Sequence, residues 1–186
     1  MPDLSDDELV LLYRDGDAEA FEVLFDRYRA PIYNFACTML NNAAKAEDIL
    51  QETFLGVARA AKSYEPRGRF RTWLFRIARN MCRNAVESER LRRAAASESR
   101  LILLDPPSDE PSPLDQSGSN EFLRNLRREI SGLPDRQREA ISLYAFEQMP
   151  YREIADVLDV PLNTVKSLIH RARVSLAAAL EKSSRR

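Results

Sequence analysis

The chain has 186 residues, of which 44% are hydrophobic and 31% charged, a balance typical of folded proteins. No apolar run approaches the roughly 20 residues that cross a bilayer, and the acidic start, MPDLSDDELV, lacks the basic residues of a signal peptide. Two cysteines and one histidine are too few for a disulfide framework or a four-ligand zinc site. We therefore expect a cytoplasmic protein without membrane insertion, with no metal and no cofactor.

The net charge of −1 conceals a strongly uneven distribution. Residues 59–93 carry 11 basic and 3 acidic side chains, and residues 161–186 carry 6 and 1. Residues 1–58 have 4 basic and 12 acidic side chains, and residues 94–120 have 1 and 5. Two basic blocks between acidic stretches indicate two separate contacts with a polyanion.

The N-terminal third predicts helices. Ser5 is a suitable N-cap for a short acidic helix, since Glu8 follows three residues later, and Asp17 is a suitable cap for the next one. Apolar residues then recur on one face up to Met39, and Pro31 within this pattern predicts a kink or a division of the helix. With only five glycines in the chain, we expect an all-α fold.

The next predicted helix, from about Ala44 to Lys62, begins with a polar and acidic group of residues. Its packing stripe is clear, and Gly56 in mid-helix indicates close packing against a neighbour. Two interpretations of the polar group are open: a solvated helix start that suits the helix dipole, or a docking surface for a protein partner. The group comprises Glu47, Asp48, Gln51 and Glu52.

Ser63 to Arg93 combines a loop, marked by Pro66 and Gly68, with a helix that begins near Arg71. Arginines neutralise phosphates, and aromatic faces stack on unpaired bases, so this composition favours binding to strand-separated DNA. The alternative is that the aromatics are core and the arginines only solubilise. The candidate residues are Arg67, Arg69, Phe70, Trp73, Arg76, Asn80, Arg83 and Asn84.

Residues 96–120 predict an acidic, proline-rich linker between two small helical domains, residues 1–95 and 121–183. From Ala94 to Asn120, a flexible coil would reach about 90 Å at most. In the second domain, a first helix ends at Gly132 and Pro134 begins the next.

Tyr151–Arg173 predicts two helices joined by a tight turn at Asp159, which tolerates a left-handed backbone. The polar side of the second helix has the composition of a recognition helix in a major groove. An ordinary amphipathic helical hairpin is the alternative. The polar residues are Thr164, Lys166, Ser167, His170, Arg171 and Arg173.

In their order, the segments EDILQETFL, YEPRGRFRTWLFRIARN and LPDRQREAISLYAFEQMPYREIADVLDVPLNTVKSLIHRAR resemble the extracytoplasmic-function (ECF) group of the bacterial sigma-70 family. The resemblance runs from about Asp17 to Leu180. It implies a sigma factor that binds core RNA polymerase, through the β′ clamp helices and the β flap, and recognises −10 and −35 promoter elements in duplex and melted DNA. It also implies an anti-sigma factor as a partner, which could hold the protein near the membrane.

The resemblance assigns the sites by position. Polymerase docking falls on Asp48, Gln51, Glu52 and Phe54; −10 recognition falls on the loop Glu65–Arg69 with Phe70, Trp73, Arg76, Asn80 and Asn84; the −35 reader is the polar side of the last helix. His170 departs from the aromatic residue or arginine that is common there, which puts the base preference in doubt.

Two other classes of function compete with this interpretation. A stand-alone helix-turn-helix regulator would bind duplex DNA tightly without polymerase, but it leaves the basic block of residues 59–93 without a purpose. An enzyme would need a catalytic pair of carboxylates, a nucleophile with its base or a glycine-rich phosphate loop. We find none of these patterns in the sequence and expect that the protein is not an enzyme.

Overall fold

The computed structural model describes residues 3–98, 126 and 128–183. Throughout this part the secondary structure is helical, with no strand, which confirms the all-α prediction. The predicted linker lies outside the described residues, as does most of the helix predicted before Gly132, of which residues 128–131 are helical.

Four helices form the N-terminal domain: α1 (Asp6–Arg14), α2 (Ala18–Leu40), α3 (Ala43–Ala60) and α4 (Phe70–Glu98). A single turn of 3₁₀ helix, Ala61–Ser63, follows α3. α2 packs against α1, α3 and α4, and α3 also packs against α4. A Cβ atom at Gly56 would lie 3.4 Å from side-chain atoms of both Ile77 and Met81 of α4, so the predicted close packing is present.

Side-chain caps begin the first three helices. Ser5 and Glu8 form a reciprocal capping box at α1, and Asp17 accepts hydrogen bonds from two backbone N–H groups of α2. Asn41 ends α2 in the left-handed conformation, and Asn42 caps α3. The side chains of Ser5, Asp17 and Asn42 thus accept from backbone donors that a helix leaves unpaired at its start.

α2 continues through Pro31 as one helix, so the predicted division does not occur. Proline removes one backbone hydrogen bond, but the neighbouring side chains of Tyr28, Ile32 and Phe35 are buried in the core. This packing on both sides of the proline outweighs the missing bond.

The C-terminal domain contains α5 (Asp135–Ala145), α6 (Tyr151–Leu158) and α7 (Leu162–Ser183). α6 and α7 are the predicted two-helix motif, and Asp159 between them has φ 52° and ψ 56°, the left-handed conformation expected for that turn. Ile154, Val165 and Ile169 are fully buried between the helices.

The two domains are packed against each other. α4 contacts α6, α2 contacts α5, and the buried apolar side chains of both domains form one continuous core. The sequence gives no indication of this contact, which places the C-terminal domain against the basic helix α4.

Candidate nucleic-acid interface

The exposed polar face of α4 is the first part of the candidate interface. Arg76, Asn80, Arg83 and Asn84 are all exposed, and their spacing of four, three and one residues places them along one side of the helix. Two guanidinium groups and two amides on one face can donate hydrogen bonds to phosphates and to base edges. The structure therefore brings together four of the residues predicted to bind the −10 element.

A groove beside the first turns of α4 adjoins this face. Its volume is about 400 Å³, and its walls include Tyr64, Glu65, Arg67, Arg69, Trp73 and Arg76, together with Asp156 of the C-terminal domain. Arg67 and Arg69 are exposed on the loop, and the Trp73 ring is half-buried with its centroid 4.9 Å from that of Tyr64. The groove thus combines cations with a partly accessible aromatic pair.

Phe70 lies behind the groove, not in it. Its side chain is 1% exposed, and its ring packs against Tyr28, Tyr64 and Trp73 at centroid distances of 5.7, 6.0 and 5.7 Å. In this conformation Phe70 supports the aromatic wall of the groove and has no surface for a partner.

Several arginines of α4 and its loop are engaged by the C-terminal domain. Arg76 Nη2 donates to the backbone carbonyl of Asp156 at 2.7 Å, and Arg69 Nη1 lies 3.4 Å from the Asp156 carboxylate. Arg71 donates to the backbone carbonyl of Glu147. The Glu147 side chain is largely buried, and this burial raises the pKa of its carboxyl.

The central contact between the domains is a buried ion pair. Arg79 Nε donates to Glu139 Oε2 at 2.9 Å, and the two residues are 4% and 3% exposed. Cys82, one turn along α4, is also buried, and its burial, with the nearby Glu139 charge, raises the pKa of its thiol to about 12. Removing one partner of such a pair would leave an uncompensated buried charge and so destabilise this arrangement of the domains.

The exposed side of α7 is the second part of the candidate interface. Lys166, Ser167, His170, Arg171 and Arg173 are exposed, and Thr164 is half-buried. The Ser167 hydroxyl donates to the Asn163 carbonyl at 3.0 Å, and the Arg173 guanidinium carbon lies 4.8 Å from the centre of the Tyr144 ring. Lys166, His170 and Arg171 thus have the most freedom to meet DNA.

The start of α3 presents a separate, acidic surface. Asp48, Gln51 and Glu52 are exposed, whereas Phe54 is 4% exposed and packs edge-on against Phe21 and Phe25 at centroid distances of 5.9 and 4.9 Å. Phe54 therefore belongs to the core in this conformation.

Leu55, which the sequence did not single out, is 51% exposed beside this acidic group. It follows Gln51 by four residues and Glu52 by three, so the three side chains share one face of the helix. The available signal was helical spacing, because Leu55 falls on the side of the helix that carries the acidic group and not on the packing stripe.

In the part of the chain that the structure describes, no helix is long and apolar enough to cross a membrane. Within the same ranges, no group of three or more His, Cys, Asp or Glu side chains is placed so that it could hold a metal ion.

The structure combines a basic helix, a basic and aromatic groove and a helix-turn-helix motif. These are the features of a DNA-binding protein of two helical domains. The family comparisons identify both domains. The Sigma-70 region 2 family model matches residues 24–92, and the Sigma-70, region 4 model matches residues 123–176.

Curated relatives agree with this assignment over nearly the whole chain. The ECF RNA polymerase sigma factor SigW of Bacillus subtilis is 31% identical over 172 residues, which cover 90% of this chain and 92% of SigW. The RNA polymerase sigma factor CarQ of Myxococcus xanthus is 34% identical over 168 residues, which cover 90% of this chain and 93% of CarQ. The chain belongs to the ECF RNA polymerase sigma factors, and the resemblance noted from the sequence is confirmed.

Solved structures show the same fold. CnrH in complex with the cytosolic domain of CnrY matches with a TM-score of 0.72 and 28% identity, covering 95% of this chain and 97% of CnrH. RpoE in complex with the anti-sigma factor NepR, from Bartonella quintana, matches with a TM-score of 0.73 and 26% identity, covering 88% and 98%. The protein is thus a sigma factor, a regulatory factor of transcription initiation.

Proposed function

We propose that the chain recognises a promoter in two parts, with the α4 face and its groove binding the opened −10 element and α7 reading the −35 element. The observation that carries this proposal is the row Arg76, Asn80, Arg83 and Asn84, exposed beside the groove that contains Trp73. Arginines supply affinity for phosphates, and an accessible aromatic ring can stack on an unpaired base. On α7, Lys166, His170 and Arg171 are the freest cationic and polar groups, with Thr164, Ser167 and Arg173 at the margins.

We further propose that the acidic face of α3 docks on the clamp helices of the polymerase β′ subunit and that the C-terminal domain meets the β flap. Asp48, Gln51 and Glu52 supply a polar rim around the exposed Leu55, a combination suited to a protein interface. Phe54 contributes from behind by holding α3 against α2.

The two halves of the promoter cannot be read together in the observed arrangement. Asp156, in contact with Arg76, precedes Lys166 by ten residues, so the Cα atoms of Asp156 and Lys166 lie at most about 36 Å apart. Elements centred about 25 base pairs apart are separated by about 85 Å of duplex, at 3.4 Å per base pair. The domains must therefore separate before both elements are bound.

Opening frees the residues that the −10 element needs. Arg69 and Arg76 exchange Asp156 for DNA, and Arg79 loses Glu139. The predicted linker, residues 96–120, suits this movement, since the coil expected from Ala94 to Asn120 would reach about 90 Å.

We also propose that an anti-sigma factor controls the chain in the cytoplasm, and that the protein is not an enzyme. Both solved neighbours described above are complexes, one with an anti-sigma factor and one with the cytosolic domain of CnrY. A factor of this kind would bind the same two domains and compete with polymerase.

The test is transcription in vitro with bacterial core polymerase and fragmented genomic DNA, followed by sequencing of the transcript starts. We expect starts that share two elements at a fixed spacing, only when the chain and the core enzyme are both present. A chain that binds such fragments tightly without polymerase, and yields no new starts with it, would be a stand-alone regulator instead.

A further inference from the structure

The first turn of α1 holds three consecutive acidic residues whose partners differ. Glu8 accepts from the backbone N–H of Ser5 at 2.8 Å and from its hydroxyl at 2.6 Å. Asp6 accepts from Arg27 and Tyr28 of α2. Asp7 instead reaches the loop between the 3₁₀ turn and α4, the loop that forms one wall of the groove.

Asp7 holds that loop at both ends. Its Oδ1 atom accepts from the Tyr64 hydroxyl at 2.6 Å, and its Oδ2 atom accepts from the backbone N–H of Gly68 at 2.5 Å. Residues 65–68 make no backbone–backbone hydrogen bond to another described residue. One carboxylate therefore supplies the polar tether that the loop lacks in its own backbone.

The conformation that Asp7 holds is an unusual one. Gly68 has φ +65°, a left-handed backbone, although a Cβ atom there would meet nothing within 4 Å. The glycine thus serves the backbone angle and not a close approach. Glycine adopts positive and negative φ values with similar ease, so a contact with another residue is needed to fix one backbone conformation. The hydrogen bond from the Gly68 N–H to Asp7 is that contact.

Asp7 also orients the aromatic wall of the groove. Burial of the ring, and then the hydrogen bond to the Asp7 carboxylate, raise the pKa of the Tyr64 hydroxyl, which stays protonated as the donor. The Tyr64 ring in turn packs against Trp73 and Phe70. A chain of contacts thus runs from Asp7 through Tyr64 to the exposed edge of Trp73.

We propose that Asp7 is a positioning residue for −10 recognition, which sets the loop 64–69 and the Tyr64–Trp73 pair in the geometry that receives an unpaired base. The residue lies outside the segment that matches Sigma-70 region 2, which begins at residue 24. The inference rests on the proposed −10 site and adds a part of the chain that the family match does not include.

The Asp7 carboxylate accepts from both partners. In Asp7→Asn, one oxygen becomes an N–H₂ group, so the amide reaches both partners only if the Tyr64 hydroxyl turns to accept, and both bonds lose the negative charge that strengthens them. Tyr64→Phe removes one donor and keeps the ring. Asp3→Asn, in the same segment and exposed, is the matched control.

The first readout uses Trp73, the single tryptophan of the chain. In the full-length protein, we expect Asp7→Asn and Tyr64→Phe to increase acrylamide quenching of Trp73 fluorescence, with Asp3→Asn unchanged. The double variant should show little more quenching than Asp7→Asn alone, because both changes act on the same Tyr64–Asp7 bond.

The second readout is binding by the holoenzyme to a fork-junction DNA that carries the −10 sequence recovered from the transcript starts. We expect Asp7→Asn to weaken this binding about tenfold, which is the lower end of the effect expected when a hydrogen bond to a charged group is lost. The affinity of the variant for core polymerase should stay within about twofold of wild type.

The possible results separate the claims. Equal DNA binding by wild type, Asp7→Asn and Tyr64→Phe would overturn the inference while leaving the −10 site intact. Equal losses of DNA and core binding would assign Asp7 a merely structural role. If Asp7→Asn does not fold, Tyr64→Phe decides alone. A wild-type holoenzyme that does not bind the fork would contradict the proposed −10 site and this inference together.

Discussion

Leu55 and its neighbour Phe54 illustrate how burial separates two adjacent side chains into different roles. Phe54 is 4% exposed and Leu55 is 51% exposed, although both are apolar and both follow the acidic group of α3. An exposed leucine inside a polar rim resembles the centre of a protein interface.

We predict that Leu55→Ala weakens binding to core polymerase by about 1–2 kcal/mol without lowering the free energy of unfolding. Surface plasmon resonance on immobilised core enzyme measures the first quantity and urea denaturation the second. Leu91→Ala is the matched control, because Leu91 is a 62% exposed leucine at a distance in sequence from α3. Unchanged core binding by Leu55→Ala would remove this residue from the docking surface.

Phe54→Ala should behave in the opposite way. Because its ring packs on Phe21 and Phe25, the loss of a buried aromatic side chain should lower the free energy of unfolding by about 3–5 kcal/mol. Urea denaturation of the full chain measures this effect. A stable Phe54→Ala variant that no longer binds polymerase would show that the ring leaves the core to dock.

Arg171 and Arg173 of α7 differ in what already engages them. Arg173 lies over the Tyr144 ring, whereas Arg171 is exposed and lies over no ring of another described residue. We predict that Arg171→Ala costs about 1–3 kcal/mol of discrimination between the natural and a scrambled −35 element, measured by holoenzyme binding to both. An equal loss on the two sequences would make Arg171 a phosphate contact only.

At the scale of elements, the sequence predicted what local chemistry decides. The capping box of Ser5 and Glu8, the cap at Asp17 and the left-handed turn at Asp159 depend on residues within a few positions of each other, and all three are present. The same holds for Gly56, where a missing side chain in mid-helix signals a close neighbour.

Long-range contacts were not predictable in this way. The sequence shows that Phe70 is an apolar residue near the start of a helix. It does not show that Tyr28, more than forty residues earlier, packs against it. Nor does it show that Arg79, one of many arginines in its block, pairs with Glu139 sixty residues later. Composition alone assigned the arginines to DNA, whereas the tertiary structure divides them between exposed positions and positions that contact the C-terminal domain.

The turn between α6 and α7 gives a prediction at this scale. Asp159 has φ 52°, where a Cβ atom is unfavourable unless a short polar side chain compensates. We expect Asp159→Ala to lower the free energy of unfolding by about 1 kcal/mol and Asp159→Gly to retain or raise it, measured by urea denaturation. Equal stability of the alanine and glycine variants would show that the turn can relax to a right-handed conformation.

At the scale of the whole molecule, the charges of α4 face two competing partners. The carboxylate and backbone oxygens of the C-terminal domain occupy Arg69, Arg76 and Arg79, and the first two are residues that we assign to DNA. The proposed −10 contact of Arg69 and Arg76 therefore competes with their observed contact with Asp156.

Glu139→Gln tests this competition. Leaving Arg79 buried without its counter-charge should cost about 3–5 kcal/mol, which domain opening can relieve by returning Arg79 to water. Cys82 lies at the same contact, where burial raises the pKa of its thiol to about 12 and keeps it unreactive. In a Cys37→Ser background, we therefore predict that Glu139→Gln makes maleimide label Cys82 much faster. Asp135→Asn is the control: Asp135 Oδ2 lies 2.6 Å from Arg90 Nη2, but both side chains are exposed and the pair contributes less than about 1 kcal/mol. Unchanged labelling in Glu139→Gln would show that apolar packing alone closes the domains.

The distance between the two domains shows directly whether they separate when the promoter is bound. Spin labels at Ala44 of α3 and Ala178 of α7, both exposed positions, would be placed in a cysteine-free chain and measured by pulsed electron paramagnetic resonance. We predict one narrow distribution of distances in the free chain and a clear lengthening when core polymerase and promoter DNA are added, because the two elements lie about 85 Å apart on duplex DNA. The same distance in the free chain and in the promoter complex would contradict the proposed separation of the domains.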